Sequence, residues 1–170
     1  MEFDLFSVLE KAEKKVPLLT NAIGIRILNN MSPFNAHLKA KIIKWTKNET
    51  AIEIFCHRKI KNHIGGIHAG ALFTLGETCA GLTLIKNFSF KKFRPIMSKV
   101  QVDFLKQARN RTIGIAQISE RELSRVHEGL QKGLPEIITV ESILSNTEGQ
   151  RLAIVKTEWQ IKAWEQIKTK

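Results

Sequence analysis

The segment from Ile64 to Ile85 carries a single fixed charge, the carboxylate of Glu77. A chain that is 25% charged would place about five or six charged side chains in a segment of this length. Its apolar residues predict a helix from Ala69 to Ile85 that is apolar around most of its circumference, which is typical of a buried helix. Because the segment also contains five glycines and an acid, it is a poor membrane span. It therefore predicts the central helix of a folded domain.

The rest of the chain predicts mainly strands. Six further segments predict strands, and in most of them apolar and polar residues alternate with a period of two. Two more segments have the apolar spacing of a helix. The predicted strands are Leu38–Ile42, Ala51–His57, Ser98–Lys106, Thr112–Ser119, Glu136–Leu144 and Arg151–Ala163. The other predicted helices are Phe3–Leu19 and Glu120–Leu130. This order predicts an α+β fold with a curved, mainly antiparallel sheet wrapped around a long central helix.

The length of 170 residues predicts one domain, 1–170, with an N-terminal helix at 3–19 and a core at about 33–163. Cys56 and Cys79 lie in apolar segments without the spacing of a disulfide framework or a zinc site, so neither a metal nor a cofactor is expected. The first residues do not have the pattern of a signal peptide, which favours a cytoplasmic location.

A formal net charge of +11 favours polyanionic ligands such as the phosphates of CoA. Arg109 and Arg111 are candidate contacts for such phosphates, although surface cations of this kind are often only solvated. The basic residues lack the interleaved aromatics that favour single-stranded nucleic acid, so neither a nucleic acid nor a membrane is expected as a partner.

Glu77 shares a predicted helix face with Gly70 and Thr74, seven and three residues before it, and with Gly81, four residues after it. Because these residues are small, there is room beside the carboxylate for a ligand or another backbone. The glycines at the helix start allow close approach to exposed backbone N–H groups, which together with the positive helix end suit a developing oxyanion.

Asn62, His68, Ala69-Gly70 and Glu77 resemble the motif of hotdog-fold acyl-CoA thioesterases of the phenylacetate-pathway type. In that motif an Asn and a small glycine-containing turn precede His-Gly-Gly, and an Asp follows the His by nine residues. Here too Glu77 follows His68 by nine residues and Asn62 by fifteen. The stretch from Val102 to Arg109 resembles the second conserved strand of the family. The chain is still more similar to a branch of uncharacterised hotdog proteins that carry Glu at this position.

The resemblance implies a hotdog fold that assembles as a homodimer or as a dimer of dimers. It also implies that Glu77 is the general base or the nucleophile of thioester hydrolysis. The amide of Ala69, with Gly70 adjacent, would polarise the thioester carbonyl, and Asn62 would position the substrate or water. Two departures stand out: His-Ala-Gly replaces His-Gly-Gly, and Glu replaces Asp.

Several readings stay open at this stage. The first is a thioesterase acting on acyl groups carried by CoA or an acyl carrier protein. The second is a non-catalytic acyl-thioester-binding or interaction module, and the third a dehydratase or hydratase, for which His68 is poorly placed. Glu77 can also be a buried structural acid or an interface residue. His68 can be a structural residue at the helix start, and Asn62 a turn residue.

Overall fold

The computed structural model describes residues 25, 29–30 and 32–167. Residues 32–167 form six strands and two α-helices, with three short 3₁₀ helices before, between and after them. In chain order the main elements are β1 (Lys41–Trp45), β2 (Glu49–Phe55), α1 (Ala69–Asn87), β3 (Phe93–Phe104), β4 (Arg111–Gln117), α2 (Glu120–Gln131), β5 (Glu136–Ser145) and β6 (Arg151–Ala163). The helix predicted at 3–19 lies outside the described residues.

All six strands form one antiparallel sheet in the order β1-β2-β4-β5-β6-β3. The chain leaves the sheet after β2, runs through α1, and returns as β3 at the opposite edge. Sequence neighbours pair as hairpins in β1–β2 and β5–β6, and β4 joins the two hairpins. The predicted α+β fold, a curved antiparallel sheet around a long central helix, is confirmed.

Helix α1 lies against the sheet because its apolar residues cover most of its surface. Leu75, Cys79 and Leu84 are completely buried. Contact with the sheet is close: a Cβ at Gly76 would lie 2.5 Å from the side chain of Val155 on β6. The indole of Trp45 on β1 donates a 2.9 Å hydrogen bond to the Leu82 carbonyl of the helix. The scarcity of charge in this helix therefore reflects its contact with the protein on several sides, as predicted.

Helix α2 packs against β5 and contacts the residue that follows α1. Ser119 caps it by accepting a hydrogen bond from the Glu122 N–H, and Leu123 and Val126 are buried. Phe88, which follows α1, lies 4.8 Å from the ring of His127. The predicted amphipathic helix is therefore present and begins at the predicted residue.

Two predicted strands differ from the structure by three residues or more at one or both ends, and the other strand boundaries agree within two residues. The strand predicted at Leu38–Ile42 lies at Lys41–Trp45, because Leu38 ends a 3₁₀ helix and Lys39 adopts a left-handed conformation with φ 49°. The strand predicted at Ser98–Lys106 begins five residues earlier and includes Pro95. A proline is tolerated there because β3 is an edge strand, where a missing N–H need not break the sheet.

No helix in residues 32–167 combines the length and the apolar character needed to cross a membrane.

Candidate active site

Glu77 lies in the middle of α1 and is half-buried. Burial raises the pKa of its carboxyl group above the ordinary 4.5 of a glutamate, and a hydrogen bond from Thr78 partly opposes this shift. The Thr78 hydroxyl donates that bond to Glu77 Oε2 at 3.4 Å. A carboxyl group with a raised pKa is a better proton acceptor once it is ionised, which suits a general base.

A cleft of about 210 Å³ opens beside this carboxylate. Its walls come from α1, the 3₁₀ helix Pro33–Leu38, β3 and β6. The lining residues are mainly apolar, and they are Ser32, Asn35, Glu77, Thr78, Gly81, Leu82, Leu84, Ile85, Phe90, Pro95 and Trp159. Among these described residues Glu77 is the one with an ionisable side chain. The arrangement places one carboxylate on the wall of an apolar cavity.

The three small residues predicted beside Glu77 have different positions. Gly81 lines the cleft, and a Cβ there would lie 3.6 Å from the Trp159 ring and 3.9 Å from Glu77 Oε1. Thr74 is buried away from the cleft wall, and its hydroxyl donates to the Gly70 carbonyl at 2.8 Å. Gly70 is exposed at the start of the helix. Of the predicted face, only Gly81 provides room at the carboxylate.

The side chain of Asn62 holds the glycine turn together. Its Oδ1 accepts hydrogen bonds from the N–H groups of Ile64 at 3.1 Å and Gly66 at 2.9 Å, and its Nδ2 donates to the Ile67 carbonyl at 3.4 Å. Gly65 takes a positive φ of 83° in this turn. The structure thus gives the Asn62 side chain the contacts of a turn residue, and it brings none of them near Glu77.

His68 is the N-cap of α1. Its Nδ1 accepts a 3.0 Å hydrogen bond from the N–H of Gly70, so that amide already has a partner. The N–H of Ala69, the first residue of the helix, has no acceptor among the described residues. Ala69 is exposed. Of the two amides predicted for the oxyanion site, the one at Ala69 is therefore available.

Within one chain the available amide and the carboxylate are far apart. Ala69 and Glu77 are eight positions apart on one helix, which corresponds to about 12 Å along its axis at about 1.5 Å per residue. A single thioester carbonyl group cannot contact both. The structure of one chain therefore does not bring the predicted oxyanion site to the predicted base.

Arg109 and Arg111, the two predicted phosphate contacts, have different surroundings. Arg111 forms an ion pair with the buried carboxylate of Glu53, which Lys41 also contacts at 3.4 Å. Arg109 is exposed, and its Nε donates to Gln107 Oε1 at 2.9 Å. Gln107 in turn donates to the Ile64 carbonyl in the glycine turn. Arg109 is therefore linked to the glycine turn through Gln107, and its other guanidinium N–H groups have no partner among the described residues, whereas the charge of Arg111 is already compensated.

Sequence reasoning missed Asn35, Thr78 and Trp159, which all line the cleft. Thr78 could have been noticed as the polar neighbour of Glu77. Asn35 and Trp159 are distant in sequence, and no local pattern marks them.

Several solved structures share this fold, as comparison with known structures shows. A Pseudomonas aeruginosa protein described as a probable thioesterase of unknown function superimposes with a TM-score of 0.72 at 20% identity, covering 79% of this chain and 90% of its own. A Staphylococcus aureus protein described as a thioesterase superimposes with a TM-score of 0.64 at 20% identity, covering 77% of this chain and 99% of its own. A Haemophilus influenzae protein described as a thioesterase superimposes with a TM-score of 0.60 at 11% identity, covering 75% of this chain and 81% of its own.

At these identities the likeness shows the fold, which is the hotdog fold. No curated protein matches the chain. The family model described as a domain of unknown function, DUF4442, matches residues 20–161, and the chain therefore belongs to this family.

Proposed function

We propose that the protein hydrolyses acyl thioesters of CoA or of an acyl carrier protein, with Glu77 as the general base or the nucleophile. The observation that carries the proposal is the half-buried carboxylate of Glu77, which is the ionisable group among the described residues that line the apolar cleft. The cleft suits an acyl group, since apolar walls with few polar groups are typical of sites for such ligands. The thioesterase names of several similar structures support the same reaction.

In this mechanism, Glu77 takes a proton from water while the water oxygen attacks the thioester carbonyl. Alternatively, its carboxylate attacks directly, and water then hydrolyses the resulting anhydride. In either case negative charge develops on the carbonyl oxygen, and the thiolate leaves when the tetrahedral intermediate collapses. The Ala69 N–H, at the positive end of α1, is the proposed donor to that oxygen. We also propose that Arg109 contacts a phosphate of the carrier.

The separation of Ala69 from Glu77 supports the proposal that two chains build one site. Strand β3 is a sheet edge of 12 residues, and its backbone pairs only with β6 among the described residues. Val100 and Phe104, on the face of β3 that looks towards α1, are 40% and 53% exposed. Antiparallel pairing of β3 with its copy would continue the sheet and cover these residues. The two-fold axis would also make the α1 helices antiparallel, so that Ala69 of one protomer approaches Glu77 of its partner.

We therefore expect sedimentation to show a dimer, or a dimer of dimers, at micromolar concentration. Phe104→Lys should produce monomers, because a charge on the covered face of an edge strand opposes pairing. Ile115→Lys on β4 is the matched control, since Ile115 is similarly apolar and 39% exposed but lies away from the β3 edge. A wild-type protein that sediments only as a monomer would contradict the two-chain site.

The proposed reaction is tested by release of free thiol from CoA thioesters with short, medium, long and aromatic acyl groups. We expect turnover with at least one class.

A second candidate is a non-catalytic module that binds acyl thioesters. It is favoured by the engagement of the Gly70 amide by His68, which leaves one free amide at the helix start. Saturable binding of acyl-CoA without hydrolysis in any class would support this candidate and exclude the enzyme.

A further inference from the structure

The two oxygens of the Glu77 carboxylate have different surroundings. Oε2 accepts the hydrogen bond from the Thr78 hydroxyl. Oε1 lies on the side of Gly81, where the missing side chain leaves space between the carboxylate and the ring of Trp159. One oxygen is therefore held by the protein, and the other faces the open part of the cleft.

The orientation of the Thr78 hydroxyl is in turn set by Asn35. Asn35 Nδ2 donates to Thr78 Oγ1 at 3.1 Å. A hydroxyl has one proton, so an oxygen that accepts from an amide is left to donate its own proton elsewhere. Here the acceptor is Glu77 Oε2. Asn35 and Thr78 are 7% and 4% exposed, so water competes little for either bond.

Thr78 differs from the other buried threonines of α1 in its partners. Thr74 bonds the Gly70 carbonyl and Thr83 the Cys79 carbonyl, each four residues earlier. This is the common hydrogen bond of a threonine inside a helix. The Thr83 hydroxyl also bonds the hydroxyl of Thr50. The bonds of Thr78 go to two side chains instead, one of them from a segment 43 positions away. Its hydroxyl therefore connects Glu77 to the 3₁₀ helix Pro33–Leu38.

We propose that Asn35 and Thr78 are positioning residues for Glu77, forming a relay of hydrogen bonds that holds Oε2, stabilises the ionised carboxylate and directs Oε1 into the cleft. The relay is a property of the folded chain. Only its use in catalysis rests on the proposed function.

Among the described residues that line the cleft, no side chain other than Glu77 carries a charge that could alter the ionisation of its carboxyl group. The neighbouring side chains from the other elements are uncharged: Ser32 and Asn35 from the 3₁₀ segment, Phe90 from the loop after α1, Pro95 from β3 and Trp159 from β6. Cys79 is the nearest titratable group along the helix. Burial raises the pKa of its thiol, so it stays protonated at neutral pH, and its Sγ bonds the Gly114 carbonyl.

The test is a titration of the Glu77 side chain by carbon NMR in the ligand-free protein, with the signal assigned from its absence in Glu77→Gln. Thr78→Val removes the hydroxyl at constant shape and should raise the pKa of Glu77 by about one pH unit, because a hydrogen bond to a charged group is lost. Thr78→Ser keeps the hydroxyl and should restore a pKa close to that of the wild type.

Asn35→Leu should raise the pKa less than Thr78→Val and have no further effect when Thr78 is already valine, since the relay acts through that hydroxyl. The matched control is Thr83→Val, which removes another buried hydroxyl of α1. It should lower stability and leave the titration of Glu77 unchanged. An unchanged pKa in Thr78→Val, or equal shifts in Thr78→Val and Thr83→Val, would overturn the relay.

Activity supplies a separate readout. If the protein hydrolyses acyl-CoA, the acid limb of kcat/KM should move to higher pH by the same shift in Thr78→Val, with an approximately tenfold loss below that limb. Thr78→Ser should return the limb to its wild-type position. If the wild-type protein hydrolyses no thioester, the proposed function fails, but the titration still decides whether the relay exists. A limb that stays in place while the Glu77 titration moves would overturn the catalytic role of the relay.

Discussion

Replacement of Glu77 by Gln is expected to lower acyl-CoA turnover by about 10²-fold or more, because the variant keeps the shape of the side chain and loses its basic oxygen. The measurement is thiol release under saturating substrate, with acyl-CoA affinity determined in parallel. Affinity should change little, since the cleft walls remain intact. Glu141→Gln is the control: it removes an exposed acid from β5 and should leave turnover unchanged.

The same substitution has a predicted effect on stability that separates a functional acid from a structural one. Burial raises the pKa of Glu77, so the ionised form is disfavoured in the folded protein. The stability contribution of the carboxyl group is present below its unfolded pKa, near 4.5, and is lost as pH rises through the raised folded value. Glu77→Gln avoids that loss. We expect its melting temperature to exceed that of the wild type at pH 8, with the advantage decreasing towards pH 4.

A structural acid would give the opposite combination. If Glu77→Gln unfolds at a lower temperature at every pH while keeping its turnover, Glu77 serves the fold and the proposed mechanism is wrong. Loss of turnover together with a gain of stability at high pH is the result expected of a site that is maintained at the expense of stability.

The central helix and its acid could be predicted from sequence because both depend on local composition. A single fixed charge over Ile64–Ile85 indicates burial, which the structure shows for most of residues 72–84. One carboxylate inside such a segment has a desolvation cost that stability alone does not explain. Most of the sheet was predictable for a similar reason, since alternation with a period of two marks most of its strands. Boundaries were less accurate where a special backbone conformation intervened, as at Lys39.

The surroundings of the acid could not be predicted, because they depend on contacts between distant segments. Asn35 reaches Thr78 across 43 positions, and Trp159 comes from the last strand of the sheet. The same kind of long-range contact changes the interpretation of Arg111, which pairs with Glu53 across 58 positions. The distance between the helix start and Glu77, by contrast, follows from the predicted helix alone, since eight positions correspond to about 12 Å along its axis.

Replacement of Ala69 by Pro is the second change with a large expected effect, a loss of about 10²–10³-fold in turnover. Ala69 is the first residue of α1, where proline fits the helix and the missing N–H removes no helical hydrogen bond. The preceding His68 is extended, with ψ 141°, which is the conformation that a following proline requires. The substitution should therefore delete the proposed oxyanion donor and preserve the fold.

The matched control is Ala69→Gly, which keeps the amide and removes only the methyl group. It should retain at least wild-type turnover. Equal activity in Ala69→Pro and the wild type would exclude this amide as the oxyanion donor. If Ala69→Pro loses turnover and also melts at a lower temperature, its turnover is compared with that of Ala69→Gly at a temperature where both are equally stable. Only a loss that persists in this comparison supports the Ala69 amide as the oxyanion donor.

Combining the two variants tests whether one site is built from two chains. Glu77→Gln and Ala69→Pro, carried on differently tagged chains and co-expressed, can be purified as mixed dimers. In a mixed dimer one site joins the intact Ala69 of one protomer to the intact Glu77 of its partner, and the other site has both defects. Mixed dimers should therefore regain about half of the wild-type turnover, although each parent has about 1% or less. If each chain carried a complete site, every site in the mixed dimer would have one defect, and no activity would return. Because both parents differ from the wild type at single positions on the same helix, recovery in the mixed dimer alone would identify the helix start and the carboxylate as parts of one shared site.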